Sequence, residues 1–302
     1  MLELNKIYHR DCFDGMRDLP DSSVDMILCD LPYGCTDHEW DVKLPVKELW
    51  KEYRRISKKN SRIVLFGIQP FTAELITSNA IDFSHMLYWE KDTACGHLYS
   101  THQPMRKIEE IAVFNNHLNS GEHGGLREYM KSEWAAAGVN DDVRYFIGNK
   151  GANHWFLDCS DFRIPTREYY EKLQKATGRF QRSYESVRQE FDAAKKQLIF
   201  NKVKTDGVTH NVLKYKIPGN SSRIHPTQKP VGLCSYLIDV YSNPGDLVLD
   251  NCIGSGTTAI AALESERHFI GFEIDPDYYK AASERLERAI AQGRLFGATK
   301  AG

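Results

Sequence analysis

The chain lacks what would place it in a membrane, in an oxidising compartment or around a metal. No apolar run in its 302 residues approaches the ~20 needed to cross a bilayer. No secretion signal precedes Met1-Leu2-Glu3-Leu4, so no membrane partner is expected. Its seven cysteines are odd in number and form no C-x-x-C pair. That argues against a disulfide framework and leaves free thiols in a reducing cytoplasm as the reading. His97, His102, His117 and His123 follow no ligand spacing, and no metal is expected. Strong net charge is also missing, at −2, while apolar residues make up 41% and charged residues 26%. These are ordinary proportions for a chain that buries a full core, read here as one large domain with an insertion.

Against those absences stands Asp30-Leu31-Pro32-Tyr33-Gly34. It follows Val24–Cys29, a short, mostly apolar run that reads as a buried strand. A carboxylate, a rigid proline and an aromatic ring thus sit where a strand gives way to a loop, which is where open α/β sheets put their ligands. Such a loop suits a planar, neutral, nitrogen-bearing ring. Tyr33 offers a face for stacking, Asp30 accepts an N–H, and the carbonyl beside Pro32 accepts another. Alone, the same five residues also read as an ordinary turn.

The second feature is Leu247-Val248-Leu249-Asp250, then Asn251-Cys252-Ile253-Gly254-Ser255-Gly256-Thr257-Thr258 and an Ala-rich helix through Ala259–Ala262. Two glycines before a helix N-terminus let backbone approach a ligand closely. The next strand, His268–Phe272, ends in Glu273-Ile274-Asp275, and an acid there suits a ribose diol. A nicotinamide-binding unit is the competing reading, but the third glycine of G-x-G-x-x-G is absent.

Taken together, the two stretches resemble the amino-group DNA methyltransferases that use S-adenosyl-L-methionine. With the Asp-x-Pro-Tyr loop first and the glycine loop last, the order is similar to the β-type of that family. Ile224-His225-Pro226-Thr227-Gln228-Lys229-Pro230 is a further marker. The match covers roughly residues 1–117 and 222–290. The resemblance implies a Rossmann-like, circularly permuted seven-stranded α/β sheet. It divides the chain into a catalytic half (1–117), a mainly helical inserted target-recognition region (118–222) and a cofactor-binding half (223–302). It implies catalytic roles for Asp30, Leu31, Pro32 and Tyr33. For the cofactor it implies Asp11, Cys12, Asp30, Thr227, Lys229, Asp250, Gly254, Ser255, Gly256, Thr257, Glu273 and Asp275. A plain surface turn remains the other reading of Asp11-Cys12. The chain departs from the family's Asp-Pro-Pro-Tyr at Leu31, a position expected to act through its carbonyl. It departs from the family's Asp-Pro-Phe at Asn251 and Cys252.

Strands are expected near Ile7 (through Cys12), Met26, Arg62–Phe66, His85–Glu90, Ile111–Phe114, Leu247 and Ile270, with Lys91–Arg106 and Cys35–Val42 as polar loops. Helices are expected over Glu48–Ile56 and Phe71–Ser78. The C-terminal unit should lie beside the Asp30 strand, making that junction the topological switch point. In the insertion, helices are expected over Leu126–Ala137, in two short pieces about Gly148–Gly151, from Pro165 to Ala176, and over Arg182–Ile199; a helix-turn-helix is one reading of this region. Tyr184, Val187, Phe191, Ala194 and Leu198 form a 3-4-3-4 stripe. It either packs within its own domain or forms a homodimer seam.

From His117 to Arg223 there are 18 Lys/Arg against 13 Asp/Glu, so +5 there and −7 elsewhere. That pattern fits a phosphate-facing module on an acidic core, with Lys202, Lys204, Lys214 and Lys216 as candidate DNA contacts. A solvated face is the alternative. The resulting expectation is methyl transfer to adenine N6 in double-stranded DNA after base flipping. Cytosine N4 is the rival within the class, and a protein glutamine amide is a rival outside it. A DNA-binding module without catalysis is a third. Neither the recognition sequence nor a restriction endonuclease partner is legible.

Overall fold

The computed structural model describes residues 2–34, 41–96, 101–102, 104–116, 121–139, 142–156, 163–197, 210–219 and 223–292. Its strands are β1 (Lys6–His9), β2 (Val24–Cys29), β3 (Ser57–Gly67), β4 (Phe83–Cys95), β5 (Arg106–Asn115), β6 (Val212–Lys214), β7 (Leu247–Asp250) and β8 (His268–Glu273). Its helices are α1 (Cys12–Arg17), α2 (Val46–Ile56), α3 (Phe71–Ser78), α4 (Gly121–Ala136), α5 (Val143–Ile147), α6 (Arg167–Thr177), α7 (Tyr184–Gln197), α8 (Val231–Tyr241), α9 (Thr257–Glu264) and α10 (Pro276–Ala291). The chain forms two compact units, Met1–Asn116 with Ile199–Gly302, and His117–Leu198.

In the first unit one sheet runs β1-β8-β7-β2-β3-β5-β4-β6. The pairs are parallel except β3 with β5 and β5 with β4. Alternation along β2 divides the core. Met26 and Leu28 pack with α8, α9 and α10, whereas Ile27 and Cys29 pack with α1, α2 and α3. Both faces are covered, so the strand reads as a continuous apolar run. The chain leaves β7 towards β8 and leaves β2 towards β3, and β2 pairs β7 directly. The permuted α/β sheet and its switch point are therefore as expected.

Three boundaries differ from the sequence reading. First, β1 stops at His9 because Asp11 caps α1, its Oδ1 accepting the N–H groups of Phe13 and Asp14. Second, the expected polar loop from Lys91 is strand as far as Cys95, because Cys95 still pairs Arg106 across the hairpin. Third, the insertion ends near Leu198 rather than at 222. Val212–Lys214 adds an eighth strand on β4, through pairs Tyr88–Val212, Trp89–Leu213 and Glu90–Lys214, and ties this segment to the sheet. A three-residue strand leaves no periodic signal.

The second unit is helical. Leu126 and Met130 of α4, Tyr170 and Leu173 of α6 and Val187 and Phe191 of α7 enclose its core with Ile147, Trp155 and Phe180. The stripe of α7 thus packs, at Tyr184, Val187 and Phe191, inside its own unit. Leu198 and the side chain of Ala194 lie outside the described residues, as do most of the loop over Cys35–Val42, His97, His117 and the side chain of His123. Among the described residues no cluster of His, Cys, Asp or Glu could hold a metal, and no helix is long and apolar enough to cross a membrane.

Candidate active site

A cavity of about 420 Å³ opens where β1, β2, β7 and β8 end. Its volume is that of an ordinary small-molecule site. The loop after β2 supplies Asp30, Leu31, Pro32 and Tyr33, and the turn after β1 supplies Asp11 and Cys12. Asp250, Gly254, Ser255 and Thr257 come from the loop after β7, Glu273 from the end of β8, and Thr227 and Lys229 from the segment before α8. Gly256 and Asp275, both expected at the cofactor, do not line it. Gly256 has φ +74°, and a Cβ there would lie 3.3 Å from Ala282 Cβ in α10, so its bareness serves helix packing. Asp275 caps α10, accepting from the N–H groups of Asp277 and Tyr278.

Asp30 is the electrostatic centre. Its Oδ1 accepts the Tyr33 hydroxyl at 2.5 Å, and its Oδ2 accepts the Lys229 ammonium. Lys229 also donates to Glu109 Oε1 at 2.9 Å and to the Thr227 carbonyl at 3.3 Å. An ammonium has three donors, and all three are engaged. Lys229 therefore acts on Asp30 rather than offering a donor to the cofactor, the role the family resemblance implies for it. Behind it, Lys91 pairs with Glu109 at 2.8 Å. The result is a row of alternating charge, Lys91, Glu109, Lys229 and Asp30. Burial, with Glu109 close by, raises the Asp30 carboxyl against the opposing pull of Lys229. Burial alone would lower Lys229, but Asp30 and Glu109 outweigh it and hold the ammonium charged. The Tyr33 ring packs against Phe71, with centroids 5.3 Å apart.

The glycine loop is braced from several directions. Gly254 has φ +51° and donates its N–H to Glu273 Oε2 at 2.8 Å, while Glu273 Oε1 accepts from the Asp275 N–H. Arg285 of α10 donates to the Ser255 carbonyl at 2.8 Å and to the Thr257 hydroxyl at 3.0 Å. Thr257 in turn donates to the Lys229 carbonyl at 3.2 Å. The two family departures have structural partners. Asn251 Oδ1 accepts the buried Tyr53 hydroxyl of α2 at 2.5 Å, and the Cys252 thiol contacts those of Cys12 and Cys29. Burial pushes the Asp250 carboxyl up to about 7, against hydrogen bonds from Thr258, the Cys252 N–H and Cys29.

Lys202 and Lys204 lie outside the described residues. Lys214 is exposed on β6 and pairs with Glu90 at 3.4 Å, and Lys216 is exposed just beyond it near Asp92. Sequence reasoning missed Glu109, Lys91, Tyr53 and Arg285. Only Glu109 left a signal, a charge just before the apolar run Ile111–Phe114 of β5, where carboxylates are rare unless paired. Chemically, the cavity combines an acid-lined floor suited to hydroxyls and a cation with a carboxylate–tyrosine pair suited to a planar amino group.

A family model described as DNA methylase matches residues 24–284. The chain is 26% identical over 295 residues to the Type II methyltransferase M1.MboII of Moraxella bovis, spanning 94% of this chain and 96% of that protein. It is 24% identical over 327 residues to the Type II methyltransferase M.HindIII of Haemophilus influenzae, spanning 93% of this chain and 94% of that one. Among solved structures, M1.HpyAVI in complex with SAM is 19% identical with TM-score 0.55, covering 93% of this chain and 98% of that chain. The cytosine-N4-specific PvuII DNA methyltransferase is 12% identical with TM-score 0.53, covering 97% and 93%. At such identities the two structures speak for the fold.

Proposed function

The chain belongs to the DNA methylase family of N6/N4 amino-group methyltransferases, and from that premise we propose that it transfers a methyl group from S-adenosyl-L-methionine to adenine N6 in double-stranded DNA. The observation that carries the reading is Asp30, a carboxylate at the switch point with Tyr33 bonded to it, in one cavity with the glycine loop and Glu273. The donor set fits the cofactor. Asp11 and Glu273 are acceptors for ribose and adenine N–H or O–H groups, and Gly254 lets backbone come close.

When bound, the cofactor supplies a methyl group on a sulfonium, already a strong electrophile. The chain must then orient a poor nucleophile, since the N6 lone pair is delocalised into the ring. Each oxygen of Asp30 keeps a second lone pair after its bond to Tyr33 or Lys229, so it still accepts an N–H from N6. The Leu31 carbonyl accepts the other N–H, and the two acceptors turn the lone pair towards the methyl. Reaching the base requires flipping it from the duplex, at a cost of a few kcal/mol. Stacking on Tyr33 offsets this by ~1–3 kcal/mol, the scale of other base–aromatic contacts.

Adenine is preferred to cytosine because the motif opens with Asp30, where cytosine-N4 enzymes commonly carry Ser. The names of the two full-length relatives support a place in restriction–modification. The test is modification-sensitive sequencing of DNA from a methylation-deficient host expressing the chain. N6-methyladenine in one fixed sequence is expected. N4-methylcytosine would transfer the reading to the other amino group, and unmodified DNA would overturn it.

A further inference from the structure

Glu109 and Lys91 have no place in the chemistry above, yet they lie directly behind it. Glu109 sits on β5, 8% exposed at its side chain, and Lys91 on β4 is 12% exposed. Both come from strands beyond β3 in the sheet, far in sequence from Asp30 and Lys229. An isolated Lys229 would collapse wholly onto Asp30, its nearest opposite charge. Instead, the ammonium is divided between two carboxylates, and the second of these is itself balanced by Lys91. Two carboxylates and two ammoniums in one sequestered row are costly unless each is paired, so the arrangement has little slack. The Phe66 ring, 5.1 Å from the Lys229 ammonium, walls one side of the row.

We propose that Glu109, backed by Lys91, is a positioning residue for methyl transfer: it shares Lys229 with Asp30 and so keeps Asp30 a strong acceptor for the substrate amino group. This rests on the reading of Asp30 as that acceptor. In the step itself, the N6 lone pair forms the N–CH₃ bond. The C–S bond breaks with its electron pair left on sulfur, and the surplus proton leaves N6 along the hydrogen bond to Asp30 and then to solvent. An Asp30 fully neutralised by Lys229 would draw that proton weakly. An Asp30 facing Glu109 with no lysine between them would hold a proton of its own and could not take up the one leaving N6.

The charge order gives opposite signs to different variants. Glu109→Gln releases Lys229 to Asp30 and moves the acid limb of the single-turnover rate to lower pH by about one unit. Lys229→Gln and Lys91→Gln move it to higher pH, the second by less, because Lys91 acts through Glu109. The groups facing Asp30 are Tyr33 from its own loop, Lys229 from before α8, Glu109 from β5, Asp250 from β7, Cys29 from β2 and Cys234 from α8. Burial keeps the two thiols protonated, Cys29 near 12 and Cys234 higher still. Asp250, at about 7, titrates in the working range but is common to every variant.

The rates are measured with methyl-tritiated S-adenosylmethionine and genomic DNA from a methylation-deficient bacterial host, and cofactor affinity is followed by calorimetry. The expected result is opposite movement of the acid limb in Glu109→Gln and Lys91→Gln, with cofactor affinity held within about threefold. A ¹³C-carboxyl NMR titration of Asp30 in the wild type and in Lys91→Gln, the least buried of the three residues behind Asp30, gives the same sign without DNA. Limbs that all move one way, or an Asp30 titration unmoved in Lys91→Gln, overturn the proposal. A wild-type protein that methylates no DNA would instead sink the reading of function, and the NMR titration would still decide the role of the row.

Discussion

Replacing Asp250 with Asn should make the protein more stable, and increasingly so as pH rises. Asp250 ends β7 at 4% exposure, and burial holds its carboxyl at about 7. The unfolded chain loses that proton near pH 3.9. Between about pH 4 and 7 the folded state therefore binds a proton that the unfolded state has released, and stability falls as pH rises through the window. Three units of difference amount to about 4 kcal/mol by pH 8, of which about 2–3 kcal/mol accrues between pH 5 and 8. Asparagine carries no charge and keeps an oxygen for the Cys252 N–H, which lies 3.2 Å from Asp250 Oδ1. Urea unfolding of both proteins at pH 5, 6, 7 and 8 should show a gap that widens by that 2–3 kcal/mol in favour of Asp250→Asn. On the scale of roughly 2–4 °C per kcal/mol, the melting temperatures should diverge by about 5 °C or more. A gap independent of pH, or a variant less stable at pH 8, would refute the argument. A cofactor with one net positive charge favours the ionised carboxylate. Its binding near pH 6.5 should therefore release a proton, visible as a dependence of calorimetric heat on buffer ionisation enthalpy, and that release should vanish in Asp250→Asn.

Asp30→Asn should slow single-turnover transfer at least about 10- to 100-fold, the worth of a hydrogen bond to a charged group, while cofactor affinity survives; a rate within tenfold of wild type would remove Asp30 from its role. The two loop glycines should separate. Gly254→Val, with φ +51° and no atom nearer than 3.8 Å to a new Cβ, should weaken cofactor binding at a stability cost of about 1–2 kcal/mol. Gly256→Val, pressed against Ala282, should lower the melting temperature further, and equal melting temperatures would contradict the packing role. The Cys252 thiol lowers that of Cys12 despite burial and Asp11, and Cys12 lines the cavity. Iodoacetamide should therefore modify Cys12 before Cys29 and Cys234, with S-adenosylmethionine protecting it; peptide mass spectrometry showing no such order would count against this. Neutralising Lys202, Lys204, Lys214 and Lys216 together should flatten the log–log salt dependence of DNA binding by up to about one unit per lost phosphate contact. An unchanged slope would dismiss them as contacts.

The parts of the site that could be read in advance are the parts carried by a few consecutive residues. Val24–Cys29 announces a buried strand, so the place of Asp30 follows from local sequence alone, and Phe71–Ser78 forms the helix its composition implies. The charge row could not be read. Asp30 and Lys229 are 199 residues apart, and their meeting with Glu109 depends on how β2, β5 and the segment before α8 are brought together. Lys229, in the family-marker run before the glycine loop, invites a cofactor role in sequence, whereas folding engages all three of its donors elsewhere. Gly256 was similarly ambiguous. A bare position before a helix serves a ligand or a neighbouring helix equally well in sequence, and only the approach of Ala282 decides it.

The revised boundary also moves the positive charge. His117–Leu198 carries 13 Lys/Arg against 12 Asp/Glu, close to neutral, whereas residues 199–223 carry five against one. The basic excess of the insertion read from sequence therefore falls in residues 199–223, which include β6. A helical unit with balanced charge cannot draw a duplex by net attraction, so any selectivity it confers must come from shape and individual base-edge contacts, which are only weakly dependent on salt. If Lys202, Lys204, Lys214 and Lys216 contact phosphates, their segment should supply the sequence-independent part, which salt screens strongly. The two contributions are separable in one titration. Charge removal in 199–223 should weaken binding to every sequence alike, and substitution on the surface of the helical unit should change the ratio between cognate and random DNA at fixed salt. If the lysine variants altered that ratio while leaving the salt slope intact, the division between the two segments would have to be reversed.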